Sequence, residues 1–528
     1  MTAIAIPAAQ AFVADNEVPF PLSCSPLSRS PFAHQLSLSP GSAPKYSSVL
    51  PPASHFAATN AAARKPSISY AARPPRMSAA TKDVEVPLPP VHSGTVIDNF
   101  RAALDNIDMD DCEAHGENAF FVADLGEVYR QHVRWMRELG ERVQPFFAVK
   151  SNPDPYVLRL MAALGMGFDC ASQPEISAVL GLPGGVAPSR IIYANPCKAA
   201  SFIRNAAKHG VDTMTFDNAD ELAKVKKYHP GARMVLRILT DDSSSLCRLG
   251  LKFGAPLGEV RGLLKRAKQL DVDVVGISFH CGSGCKEPAL FGDAIRRARW
   301  AFDVGKEEGF DFSLLDIGGG FEDNNFEDIA AVLREAIAVH FPLDARGRGV
   351  KIIAEPGRYY VCKAFELATN IIARRAARDG TNDEQSMLEA GVEDDDEAKP
   401  ITMYYINDGV YSSFNSLMFD HQVVFPHVLT LDDEFQAEPL DSSHPGAVFE
   451  PCSIWGPTCD SIDCVQANAL LPTNLLEVGD WLRWDNMGAY TICAASQFNG
   501  FRRSDVRYTI DARGDSALEA KIRALLHV

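Results

Sequence analysis

Between residues 141 and 355 the chain repeats one pattern: a short apolar, β-prone run stops at a polar or glycine residue, and an amphipathic stretch of helical spacing follows. The first four runs are 146–149 ending at Lys150, 167–168 at Asp169, 191–194 at Asn195 and 214–216 at Asp217. The next four are 234–236 at Arg237, 274–279 at His280, 314–315 leading into Gly318, Gly319 and Gly320, and 352–354 at Glu355. Segments such as 175–180, 219–228, 259–270, 291–307 and 328–340 predict the intervening helices. This alternation builds a parallel sheet with right-handed crossovers. Eight units predict an α/β fold, a closed (β/α)8 TIM-like barrel, with a doubly wound open sheet as the alternative. In such a barrel the chemistry gathers at the carboxyl ends of the strands, where this sequence puts Lys, Asp, Arg, His and Glu.

After Val361 the pattern changes. Runs at 403–406, 447–449 and 481–484 alternate or are aromatic-rich, with Gly, Pro and Asn between them, and predict a smaller, mostly β domain. The division read from these shifts is a leader over 1–92, a barrel over 125–361, and a second domain formed by 93–124 together with 362–528. Within the second domain, 374–400 is acidic and poor in apolar residues, which predicts an exposed, disordered loop.

The leader is rich in Ser, Ala and Pro with dispersed basic residues, as in an organelle transit peptide, but Asp15 and Glu17 depart from that composition. A cytoplasmic location is expected, with a plastid or other organelle as the alternative. The net charge of −17 argues against a nucleic-acid partner and suits a cationic substrate. No apolar stretch is long enough to predict a membrane span. The 12 cysteines lack any Cys-x-x-Cys pair, which predicts free thiols in a reducing compartment.

The strand endings carry the chemistry. A lysine just after an apolar strand is expected to have a lowered pKa and enough nucleophilicity for an imine, which makes Lys150 the candidate anchor. Gly318, Gly319 and Gly320 can turn backbone N–H groups toward a phosphate, and Arg358, one strand later, can fork onto its oxygens. Glu355 is placed to pair with a pyridine nitrogen and keep the ring electron-accepting. His280 can stack on a planar cofactor, with Ser283 adding a phosphate donor. A metal site is not expected, because Cys281 and Cys285 alone lie near His280 at ligand-like spacing, on a Gly-rich loop.

Taken together, Pro145-Phe146-Phe147-Ala148-Val149-Lys150, Gly167-Phe168-Asp169-Cys170-Ala171-Ser172, Ile192-Tyr193-Ala194-Asn195-Pro196-Cys197-Lys198, Glu355-Pro356-Gly357-Arg358-Tyr359 and Trp455-Gly456-Pro457-Thr458-Cys459-Asp460 resemble the eukaryotic ornithine decarboxylases. These belong to the pyridoxal-phosphate enzymes of alanine-racemase-like fold. The resemblance covers about residues 98–503 and leaves out the leader and the acidic insertion.

It implies a second domain of modified Greek-key type and the cofactor pyridoxal 5'-phosphate, bound to Lys150 as a Schiff base. It further implies that His280 stacks on the ring, Glu355 holds its nitrogen, and Ser283, the three glycines, Arg358 and Tyr490 hold the phosphate. Asp169, Glu175 and Arg237 match further residues around the cofactor. The implied reaction converts L-ornithine to putrescine and carbon dioxide, the first committed step of polyamine biosynthesis. Cys459 is the implied proton donor, and Asp420 and Asp460 the partners of the substrate's distal ammonium. A homodimer is implied, with Cys459 and Asp460 serving the partner's site, and an antizyme-type regulator is a further implied partner. One position departs from the pattern: Phe419 precedes Asp420 where many of the family carry tyrosine, so a hydroxyl near the substrate is missing.

Three other readings share parts of this pattern: a broader diamino-acid decarboxylase, a non-catalytic relative that binds a regulator, and a pyridoxal racemase. The Cys459–Asp460 pair favours ornithine over carboxylated substrates. Retention of Lys150, Asp169, His280, Glu355, Arg358 and Cys459 favours catalysis.

Overall fold

The structure, a computed structural model, describes residues 88–376 except 109 and 111, and residues 402–528. The leader up to residue 87 and the acidic loop from 377 onward lie outside the described residues.

Two strands precede the barrel, β1 (Val91–Ser93) and β2 (Phe120–Asp124). The barrel closes through β3 (Val143–Ala148), β4 (Gly167–Cys170), β5 (Ile191–Tyr193), β6 (Thr213–Phe216) and β7 (Arg233–Arg237). After the short β8 (Ser245–Cys247) it continues with β9 (Asp273–Ser278), and after β10 (Ser283–Cys285) it is completed by β11 (Leu314–Asp316) and β12 (Lys351–Ala354). All eight barrel strands lie at the runs that the sequence marks, and neighbours pair in parallel, with β12 closing onto β3. The open-sheet alternative is excluded.

Alternation along each strand decides what fills the barrel. Phe146, Ile192, Val235, Val275, Leu314 and Ile353 form a cluster of their own inside it, whereas their neighbours, such as Phe147, Phe168 and Leu236, join the large cluster beneath the helices. The barrel is therefore a packed plug whose reactive surface is confined to its ends. Helix starts at the carboxyl-terminal end are fixed by side-chain caps. Asp154 accepts from Tyr156 and Val157 N–H ahead of the Pro155–Ala163 helix, Ser172 caps Gln173–Leu180, and Asn218 caps Ala219–Tyr228.

The second domain is a nine-stranded sheet in which β1 and β2 join strands from the end of the chain. These are β13 (Phe365–Ala376), β14 (Thr402–Ile406), β15 (Pro426–Val428), β18 (Phe449–Trp455), β19 (Cys464–Pro472), β20 (Trp481–Trp484) and β21 (Asp505–Ile510). β16 (Thr430–Leu431) and β17 (Glu434–Phe435) make a separate small ribbon. β13 is the spine, pairing antiparallel with β2, β14 and β20.

Three readings shift. β1 begins at Val91, inside the segment read as leader, because Val91 pairs with Tyr508 of β21. β13 runs to Ala376, inside the segment read as acidic loop, because Arg374–Ala376 pair with β14 and Arg374 bonds Glu477 at 2.7 Å. The strand expected at 447–449 starts only at Phe449; before it, Ala447 N–H closes a turn on His444 O.

Candidate active site

Lys150 sits in the single helical turn Val149–Ser151 that follows β3. Two hydrogen bonds hold that turn against the second domain: Tyr490 N–H donates to Ser151 O at 2.9 Å, and Asn152 Nδ2 donates to Gly488 O at 2.9 Å. The Lys150 side chain is 38% exposed and its Nζ donates to Asp169 Oδ2, Asp169 itself being fully buried at the end of β4. The structure reverses the direction expected for the Lys150 pKa. Desolvation pulls it down, but the charge of Asp169, followed by Glu355 and Tyr490, outweighs it and leaves the ammonium above its ordinary value. The amine is thus stored protonated on Asp169 and becomes nucleophilic only on giving up that proton.

Glu355, at the end of β12, is pushed well above the usual carboxylate range by burial, by Asp169 and by Asp316. Asp316, at the end of β11, shares a hydrogen bond with Glu355 and is itself pushed up to about 7, mainly by burial. Two buried carboxyl oxygens in this cluster, Asp169 Oδ1 and Glu355 Oε1, have no hydrogen-bond partner. Buried carboxyls left this way are expensive unless a donor arrives.

His280 follows β9, and its Nδ1 accepts from Gly282 N–H at 2.9 Å, which assigns the proton to Nε2. Burial, then Arg237 and Lys150, holds its pKa well below the ordinary value, so the ring is neutral. Arg237 lies over Phe253, 5.3 Å from the ring centroid. Glu175 Oε2 accepts from Ala171 N–H at 2.5 Å, tying down the loop after Asp169.

The glycine loop is a cradle in which a side chain has no room. A Cβ on Gly319 would lie 2.8 Å from Glu355 O and 2.9 Å from His280 Nε2, and one on Gly320 2.5 Å from Gly282 O. Gly318 and Gly320 adopt φ of +63° and +104°, open to glycine at no steric cost. The three glycines do not act alike: Gly318 N–H is taken by Asp316 Oδ1 at 2.9 Å, leaving Gly319 and Gly320 to face a ligand.

Arg358 Nη2 donates to Ser283 Oγ at 3.3 Å, and Arg358 lies 5.1 Å from the centroid of the Tyr490 ring. The same Nη2 also pairs with Asp420 Oδ2, and Arg358 Nε lies 3.4 Å from Glu322 Oε1. Cys247 Sγ donates to Asp420 Oδ1 at 3.4 Å. The group read as a phosphate fork and the group read as a substrate carboxylate are therefore direct neighbours.

Cys459 and Asp460 stand apart. Cys459 is exposed, and its N–H donates to Asn499 Oδ1 at 3.1 Å. Asp460 accepts from Tyr411 Oη at 2.5 Å and Ile462 N–H at 3.1 Å. None of these contacts reaches the Lys150 cluster. The sequence reading gave no role to Asp316, Glu322 or Cys247. Asp316 had a usable signal, a strand-end acid before a glycine run; Glu322 and Cys247 had none.

The cluster fits pyridoxal phosphate: an amine, an unpartnered protonatable carboxyl for a ring nitrogen, a neutral imidazole beside a side-chain-free cradle, and an arginine with a hydroxyl for phosphate. Barrel and cluster together define a pyridoxal-phosphate enzyme. Residues 125–362 match the family described as pyridoxal-dependent decarboxylase, pyridoxal binding domain. The chain is 50% identical over 396 residues to an ornithine decarboxylase of Schizosaccharomyces pombe, covering 75% of this chain and 84% of the relative. It is 48% identical over 430 residues to antizyme inhibitor 2 of Xenopus laevis, covering 80% and 88%. The crystal structure of the Paramecium bursaria Chlorella virus arginine decarboxylase bound to agmatine superimposes with a TM-score of 0.67 at 33% identity, over 78% of this chain and all of that one. The chain belongs to the pyridoxal-dependent decarboxylases.

Proposed function

We infer that the chain decarboxylates L-ornithine to putrescine and carbon dioxide with pyridoxal 5'-phosphate. The observation that carries this reading is the contact of Asp420, a carboxylate fit to receive a distal ammonium, with Arg358 at the barrel mouth that holds Lys150. Identity near 50% with an ornithine decarboxylase, against 33% with the arginine enzyme, supports the substrate.

When bound, pyridoxal phosphate supplies an electron sink for the charge left on the substrate's α-carbon as carbon dioxide departs. Lys150 is the anchor, and Asp169 pairs with its ammonium. Glu355, raised by burial and by its acidic neighbours, holds a proton toward the ring nitrogen, and Asp316 steadies it. His280, neutral and fixed through Gly282, supports the ring face. Gly319, Gly320, Ser283, Arg358 and Tyr490 hold the phosphate, while Gly318 shapes the turn. Asp420 receives the distal ammonium, which disfavours apolar amino acids because they would leave the buried carboxylate without that partner.

Cys459 delivers the proton to the α-carbon and Asp460 adds a second carboxylate, both from a partner subunit. Two features support a dimer with shared sites. Cys459 is exposed and tied away from its own barrel, and the segment carrying Asp420 presents Phe419 at 76%, Val423 at 70% and Phe425 at 65% exposure. Apolar side chains so placed beside a reactive carboxylate are expected to be covered by a second copy.

Carbon dioxide release measured on ornithine, lysine and arginine, with and without added pyridoxal phosphate, tests the reading. Ornithine should be fastest and the rate cofactor-dependent. Equal rates on lysine would defeat the specificity, and no release from any of the three would defeat the reaction.

A further inference from the structure

We propose that Cys247 is a positioning residue for substrate selection: its thiol holds Asp420 Oδ1 and keeps that carboxylate from being closed off by Arg358. This rests on the reading of Asp420 as the partner of the substrate's distal ammonium.

An arginine beside a carboxylate tends toward the bidentate fork, with both oxygens engaged. Here Arg358 pairs with Oδ2, while Cys247 Sγ stands at Oδ1, 3.4 Å away. A thiol is a weak donor, and a carboxylate oxygen has a second lone pair, so Oδ1 is oriented without being satisfied. A substrate ammonium meets an oxygen already aimed at it. Burial, then Asp420, pushes the Cys247 thiol up to about 11, which keeps it a donor at neutral pH.

Cys247 is itself held. It lies on β8, whose antiparallel pairing with β10 sets Cys247 opposite Ser283 and Ser245 opposite Cys285. Ser245 Oγ donates to Cys281 O at 2.5 Å, and Arg358 Nη2 returns to Ser283 Oγ at 3.3 Å. Cys247, Asp420, Arg358 and Ser283 thus form a closed ring that joins the substrate-selecting carboxylate to the phosphate grip. A shift of β8 would be felt at both.

The test uses the full-length holoenzyme as wild type, Cys247→Ala and Cys247→Ser, assayed on ornithine and lysine. Loss of the thiol should raise the KM for ornithine about threefold to tenfold with kcat changed less than about twofold, and narrow the preference over lysine by a similar factor. Cys247→Ser, which keeps a donor, should return to within about twofold of wild type. A second readout does not involve turnover. Alkylation of Cys247 at fixed pH, followed by peptide mass spectrometry, should be faster in Asp420→Asn, where the charge that disfavours the thiolate is gone. Unchanged KM and preference in Cys247→Ala, failure of Ser to rescue, or alkylation indifferent to Asp420→Asn would overturn the role. Absence of ornithine turnover in the wild type would instead overturn the proposed function.

Discussion

The barrel mouth and the Cys459 loop are built in opposite ways. Around Lys150, charged groups are interlocked: Asp169 is fully buried against the amine, Asp316 and Glu355 share a hydrogen bond, and Arg358 is clasped by Asp420 and Ser283. Around Cys459 the thiol is exposed and its N–H donates to the Asn499 side chain, while Asp460 is oriented by Tyr411 and Ile462. The first region is complete enough to bind a cofactor within one chain. The second leaves its thiol at the surface. If Cys459 delivers the proton as proposed, binding and proton delivery are separable, and substitutions should split along that line.

The largest effect is expected at the anchor. Lys150→Ala should lower turnover on the order of a thousandfold and abolish borohydride-trappable cofactor, read by mass spectrometry of the reduced protein. Cys459→Ala should cost about a hundredfold or more in putrescine formation, with misprotonated product, yet leave cofactor content and melting temperature unchanged. Loss of cofactor in that variant would break the division between the two regions.

A smaller effect is expected in the cradle. Gly319→Ala forces a methyl to within 2.9 Å of His280 Nε2 and should destabilise the fold by about 1–3 kcal/mol, seen in chemical denaturation, together with reduced cofactor content. The smallest concerns pH. With Asp316 at about 7 in the folded chain and near 4 when unfolded, the folded state holds a proton that the unfolded state has released. That contribution is full below the unfolded value and is lost as pH rises through about 7, so cofactor-free protein should lose stability there. Asp316→Asn should flatten the slope; an unaltered melting-temperature profile would place the titration on another group.

The barrel was legible because eight apolar runs with polar endings are a strong periodic signal, and the lysine, acids and histidine fall where the fold makes strand ends. What escaped has physical reasons. β8 and β10 are three-residue strands of Ser, Gly, Cys and Leu with no hydrophobic alternation, so the ribbon joining Cys247 to Ser283 left no pattern. The strand at Phe449 was read early because Ala447 and Val448 are apolar while belonging to a turn. The pairing of Arg358 with Asp420 spans 62 residues and two domains, which no local pattern encodes. The direction of the Lys150 pKa depended on how closely Asp169 packs, and burial alone suggested the opposite sign.

The central claim, that one chain holds the cofactor and its partner finishes the site, is tested most directly by mixing Lys150→Ala and Cys459→Ala proteins under conditions that exchange subunits. Each alone should retain no more than about a hundredth of wild-type activity. With shared sites, half of the randomly formed dimers would be mixed and each would carry one intact site, so activity should return to about a quarter of wild type. Activity no greater than the sum of the two separate variants would contradict the account.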